Sequence, residues 1–242
     1  MSFANIILEK GEGFAKITMN RPQVRNCLDR QTLEELERAF EDIENDDAVR
    51  VAVLTGAGIA FSSGADLKQL RGLNSEQFTA YIRLFHRVCN KIENLTKPVI
   101  AAINGITLAG GLEVAMSCDM RIAVEDAQLG DHHANFGGIP GGGGSQRLPR
   151  LVGMSRGKEI LFTGKWIDAQ EAERIGLVNQ VAPAGKLEEV VDEMVKTLAS
   201  KSPISLGTMK RLVNQGMQTD LGTGLELEIL AITQRPFGSP GG

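Results

Sequence analysis

The sequence predicts an α/β fold, a core of alternating strands and helices followed by a helical tail. Three observations carry this expectation. Short apolar runs such as Arg50–Thr55 and Pro98–Ile103 stand between longer segments whose apolar residues recur at helical spacing. From Leu151 onward helical patterns dominate, broken by Leu177–Val181. Glycine is also in excess, at 28 of 242 residues, or about 12% against a usual share of roughly 7%. Ten of these glycines lie between Gly105 and Gly144, so backbone is bent or closely approached there.

The elements follow in order. Asn5–Leu8 and Phe14–Met19 are β-type runs separated by Lys-Gly-Glu-Gly, a hairpin signal. Asp29 is placed to cap a helix whose buried face carries Leu33, Leu36, Phe40 and Ile43. The strand Arg50–Thr55 ends in Gly56-Ala-Gly58. A second amphipathic helix spans 75–95, with Phe78, Ile82, Phe85, Cys89 and Ile92 on one face. Pro98–Ile103 is a buried strand, Leu112–Ser117 a short apolar helix and Met120–Val124 the next strand. Gly137–Gly144 leads into a helix that Ser145 is expected to cap. Leu187–Gln234 holds three helical segments, with breaks at Ser202-Pro203 and Gln218-Thr-Asp220.

Composition narrows the function. There are 26 basic and 30 acidic residues, a net charge of −4, with no basic block longer than Lys210-Arg211. A nucleic-acid partner is not expected, because phosphate binding needs a concentrated positive footprint. Cys27, Cys89 and Cys118 are widely spaced in apolar stretches, as buried thiols of a reducing compartment are. The first ten residues lack a signal-peptide pattern, and the longest uncharged run, Pro98–Leu112, is too short to span a bilayer. A cytoplasmic protein without membrane association is therefore expected. Gly141–Gly144 lacks the lysine of a P-loop, and no G-x-G-x-x-G follows a strand, so neither ATP nor NAD is implied.

Two turns stand out, Phe61-Ser-Ser-Gly-Ala65-Asp66 and Asn104-Gly-Ile-Thr-Leu-Ala-Gly110-Gly111-Leu-Glu113. Each joins small residues to an expected helix start, where unpaired N–H groups and a partial positive charge favour an anion. From spacing alone, tight connections account for these turns equally well.

The motifs, taken together, resemble the enoyl-CoA hydratase/isomerase (crotonase) superfamily. They are Arg21-Pro22 with Asn26, Gly58-x-x-Phe61-Ser62-x-Gly64-Ala65-Asp66-Leu67, Lys97–Gly105, Gly110-Gly111-Leu112-Glu113, Cys118-Asp119, the stretch Gly137–Leu148, and Ala172-x-x-x-Gly176-Leu177-Val178. They run in the family's order from about Asn5 to Leu230.

The resemblance implies a crotonase-like spiral of ββα units over residues 1–195. Residues 196–242 would form a helical C-terminal region that builds trimers, often paired into hexamers. That tail is expected to be shortened at Arg235–Gly242. The implied substrate is an acyl-CoA thioester, with no further cofactor and no metal. Backbone N–H groups of Ala65 and Gly110 would form the oxyanion hole, and Val24, Ala65, Asp66, Leu67, Gly111, Pro140 and Gly141 would contact substrate or CoA. Glu113 matches the family's first catalytic glutamate. The second aligns with His133, an imidazole where the family has a carboxylate, and Asp131 stands where it could orient the ring.

These matches imply a lyase that hydrates 2-enoyl-CoA to 3-hydroxyacyl-CoA. The alternatives are enoyl-CoA isomerisation, acyl-CoA decarboxylation or C–C hydrolysis in the same oxyanion hole, or CoA binding without turnover. Plainer roles exist for the same residues. Glu113 suits the positive end of a helix dipole. His132 and His133, if extended, point to opposite faces and cannot easily share a metal. His86 reads as a partly exposed structural residue beside Phe85, and Trp166 and Tyr81 have no aromatic partners in sequence.

Overall fold

The computed structural model describes residues 2–234. The chain opens with the antiparallel hairpin β1 (Ile6–Gly11) and β2 (Phe14–Met19). Next come α1 (Arg30–Glu44), β3 (Val51–Gly56), β4 (Ala60–Ser62), the single turn α2 (Leu67–Leu70) and α3 (Ser75–Asn94). A second run follows: β5 (Val99–Ile103), β6 (Ile106–Leu108), α4 (Gly110–Ser117), β7 (Met120–Val124) and β8 (Gln128–Gly130). A 3-10 turn at His133–Phe136 leads to α5 (Gly144–Val152), α6 (Met154–Thr163), β9 (Ile167–Asp168), α7 (Ala169–Arg174) and β10 (Gln180–Ala182). The described chain finishes with α8 (Leu187–Ala199), α9 (Pro203–Gly216) and α10 (Leu221–Gln234).

Two sheets organise these elements. The larger has the order β1-β2-β3-β5-β7-β10 and is parallel except for β1. Its central strands are covered on both faces, which is why they read as continuous apolar runs. Ala52, Leu54, Val99, Ala101 and Ile103 face the main core with α1 and α3, while Val51, Val53, Ile100 and Ala102 face Val191 and Val195 of α8. The smaller sheet, β4-β6-β8-β9, is parallel across its first three strands.

The helix starts follow local chemistry. Asp29 accepts the Thr32 amide at 2.7 Å, as its position predicts, and Asn74 with Gln77 forms a capping box on α3. Ser145 does not cap α5. That helix begins at Gly144 behind Gly143, whose φ of +103° suits only glycine, and Ser145 lies exposed in its first turn. Phe78 also departs from expectation, being 44% exposed, because the buried face of α3 starts only at Tyr81. The three thiols are buried as expected, and burial pushes Cys27 up to about 11 and Cys89 and Cys118 up to about 12.

The boundary expected at residues 195/196 falls inside α8, which packs on the large sheet through Val191 and Val195. The helices standing off the core are α9 and α10, neither of which buries a residue. Residues 235–242, where the shortened tail was expected, lie outside the described residues. The link from α9 to the core is polar: Lys210 Nζ donates to Asp119 Oδ2 at 2.7 Å and to the carbonyls of Ile92 and Lys97. Asp119 also accepts the Val99 amide at 2.7 Å, so the pair joins tail, α3 and β5. Lys210→Met leaves a largely buried carboxylate without its cation. It should cost about 3 kcal/mol in urea unfolding; a loss below about 1 kcal/mol would show that the pair is solvated.

Candidate active site

The smaller sheet positions the site. Because β4, β6 and β8 are parallel, their C-terminal ends reach one edge, where open α/β sheets commonly place ligands. β4 delivers Gly64 and Ala65, β6 delivers Gly110 and α4, and β8 delivers Asp131 through His133.

Ala65 and Gly110 are brought together. A Cβ on Gly64 would stand 2.9 Å from the Gly110 nitrogen, and one on Gly110 would stand 3.3 Å from the Ala65 nitrogen. Around Ala65, the Gly64 carbonyl accepts from Leu28 and the Asp66 amide donates to Leu28, which leaves the Ala65 N–H facing the other way. Gly110 is the first residue of α4, so its N–H has no partner within the helix. Among the described residues neither amide finds a protein acceptor. The second donor sits at a helix N-terminus, as expected. The first does not, since it precedes the Asp66 cap of a four-residue turn.

The approach is steric as well as polar. Gly64 has φ +90°, and a Cβ on Gly111 would lie 2.3 Å from the Ser62 carbonyl oxygen, so α4 rests directly on the backbone of β4. This contact gives Gly111 a packing role that only a glycine can fill. Ala109, just before α4, holds φ +45° and ψ −118°, a conformation an L-residue rarely adopts. Its amide is anchored at 2.9 Å on the Gly130 carbonyl, which ties the start of α4 to β8.

Glu113, in the first turn of α4, is 1% exposed. Its Oε1 accepts the Gly142 and Gly144 amides, both at 2.7 Å, while Oε2 has no partner among the described residues. Burial pushes the carboxyl above the ordinary range, opposed by the two amides and by the charge of His133. Gly142 and Gly144 belong to the glycine stretch noted in the sequence but were not among the expected site residues, although side chains there would strike the Phe85 ring and Glu113 itself. Arg147 holds this loop, donating to the Gly142 carbonyl at 2.9 Å and pairing with Glu93 of α3 at 2.5 Å.

The segment after β8 is not extended, contrary to the reading of its two histidines. His132 adopts φ +60°, and its ring turns aside to meet Trp166 edge-on at 4.4 Å. That contact gives Trp166 the partner its sequence context lacked. The turn brings His133 back over Asp131, whose Oδ1 accepts from the His133 amide at 3.2 Å and lies 2.9 Å from Nδ1. Burial pulls the His133 imidazole down, but the Asp131 hydrogen bond and the charges of Asp131 and Glu113 outweigh it and raise the group.

The other expected contacts lie in two places. Val24 and Leu67 are 37% and 48% exposed. The Asp66 carboxylate is occupied within the protein by the Lys68 amide, the Cys27 thiol and Arg21. Pro140 and Gly141 belong to the glycine loop, Gly141 lying against Ile82 of α3. Elsewhere, His86 is exposed and Tyr81 donates to the Leu28 carbonyl at 2.8 Å. Among the described residues no group of three or more His, Cys, Asp or Glu side chains could hold a metal ion, and no helix is long and apolar enough to cross a membrane.

Comparison with known proteins agrees with this geometry. Residues 9–236 match the enoyl-CoA hydratase/isomerase family. The chain is 42% identical over 229 residues to the short-chain-enoyl-CoA hydratase of Clostridium acetobutylicum, covering 94% of this chain and 88% of that protein. It is 41% identical, with the same coverage, to the crotonyl-CoA hydratase of Syntrophomonas wolfei. The crystal structure of an enoyl-CoA hydratase from Bacillus anthracis superposes with a TM-score of 0.92 at 43% identity, covering 95% of this chain and 90% of that one. The fold is therefore the crotonase α/β fold, and the chain belongs to the enoyl-CoA hydratase/isomerase family.

Proposed function

We propose that the chain hydrates 2-enoyl-CoA thioesters to 3-hydroxyacyl-CoA, with the amides of Ala65 and Gly110 as the oxyanion hole and Glu113 and His133 as the acid/base pair. One observation carries this reading: two unpaired amides, a buried carboxylate with one free oxygen and an imidazole all meet at one sheet edge. The names of the relatives support it, since two of them are hydratases of short enoyl-CoA or crotonyl-CoA.

The chemistry follows from the protonation states. With two amides on Oε1, the Glu113 carboxylate is held as an acceptor at Oε2. It takes a proton from water as the water oxygen adds to Cβ. The double-bond electrons move into the thioester, and the charge on its oxygen is met by the two amides. His133, protonated, gives its proton to Cα as the enolate collapses, and the proton on Glu113 then returns to His133 to restore the pair.

Val24, Ala65, Asp66, Leu67, Gly111, Pro140 and Gly141 are read as the substrate or CoA contacts. Exposed apolar side chains on α9 and α10, including Met209, Val213, Leu225 and Ile229, with Met217 at the end of α9, support assembly with further copies as a homotrimer or a dimer of trimers.

Mixing the protein with crotonyl-CoA should abolish the absorbance of the conjugated thioester, and Glu113→Gln should lower kcat by at least about 100-fold; no turnover on a panel of enoyl-CoAs would overturn the assignment. The rate should rise with pH as Glu113 ionises, above the ordinary Glu value of 4.5, and fall as His133 loses its proton, above 6.5. His133→Gln should remove the alkaline limb. Gly111→Ala should push α4 off β4 and lower kcat by about 100-fold, the scale of a lost oxyanion donor. Stopped-flow turnover at saturating substrate measures this, and an unchanged kcat would mean that the two amides are not held by that contact.

A further inference from the structure

We propose that Asp131 is a positioning residue that fixes the tautomer of His133, so that Nδ1 always carries a proton toward Asp131 and Nε2 alone exchanges protons with substrate. This rests on the hydratase reading for its catalytic meaning, but the geometry stands apart from it. Asp131 is 1% exposed, and the one oxygen Oδ1 receives both the backbone amide and the ring Nδ1 of His133. A carboxylate only accepts, so the nitrogen 2.9 Å away must be the protonated one. The state of the other nitrogen then decides the charge of the ring. Oδ2 is buried with no partner among the described residues, so the group keeps its place at the cost of an unmet acceptor.

The backbone enforces this pairing. His132 at φ +60° folds the chain so that residues two apart meet on one side. Gly130 makes the fold possible, because a Cβ there would lie 2.6 Å from the His132 ring. One oxygen of Asp131 thus holds both the backbone of His133, through its amide, and the ring, through Nδ1.

The charges facing His133 are few. Asp131 and His132 lie on its own segment, and Glu113 faces it from α4. From α5, Arg147 is held by Glu93. Near α6, which packs on the 3-10 turn, Glu159 and Lys165 pair with each other. Among the described residues, Asp131 is the one carboxylate in hydrogen-bond contact with the ring.

The test is nitrogen NMR of the imidazoles in the intact protein, with His133 assigned by loss of its signals in His133→Gln. In the unsubstituted protein above its pKa, His133 should be the Nδ1–H tautomer; finding mainly Nε2–H there would overturn the proposal without any variant. Asp131→Asn keeps the shape and removes the charge, so His133 should titrate about one pH unit lower. The alkaline limb of kcat should move with it, with KM changed less than about twofold. An unmoved titration in a folded Asp131→Asn protein would reduce Asp131 to a turn former. If the tautomer is fixed but no enoyl-CoA is turned over, the hydratase reading fails and the positioning role survives.

Discussion

The site depends on the pairing of three strands of three residues each. β6 lies between β4 and β8 in parallel register, with Thr107 opposite Leu129 and Leu108 opposite Gly130. A parallel ladder makes successive strands end at the same edge, and a slip of one residue would turn their side chains to the opposite face. The glycine at 111, packed on the Ser62 backbone, and the amide of Ala109 on Gly130 hold this ladder to α4. The large sheet is packed by apolar side chains on both faces, and the small one sets the positions of donor and acceptor atoms.

At that edge the protein accepts costs that a purely structural region would avoid. The buried side-chain polar atoms without partners among the described residues are Glu113 Oε2, Asp131 Oδ2, His132 Nε2 and Arg147 Nε. All four lie on Glu113, on the segment after β8 or on the residue that holds the glycine loop. Buried polar groups are normally satisfied, so this clustering marks the place where the fold gives up stability for prearranged charge.

Much of this was legible in the sequence, for identifiable reasons. Strands buried on both faces appear as apolar runs at Val51–Leu54 and Val99–Ile103, and Asp29 marked its helix start through capping chemistry. The glycine cluster correctly pointed to close backbone approach between residues 105 and 144. β4, β6 and β8 left no such signal, since three residues carry too little periodicity to separate a strand from a turn. The left-handed turn at His132 was hidden for another reason: histidine adopts positive φ more often than most side chains but still only in a minority of cases, and here the turn goes with the contact to Trp166 and the space left by Gly130, which are set by the tertiary structure. Phe78 obeyed helical spacing yet lies outside the buried stripe, which periodicity alone cannot locate.

Ala109 carries a consequence for how this sequence can change. Its methyl group points at Gly64, where a Cβ would stand 3.1 Å away, so a bulkier side chain at either position would separate the two turns. Glycine at 109 would suit the unusual dihedrals but would loosen the chain where the second donor is aimed. The position is bounded on both sides, by bulk and by freedom. Substitutions can therefore accumulate on the outer helices far more readily than here, and any route to a new acyl substrate has to pass through the surrounding side chains and leave this residue as it is.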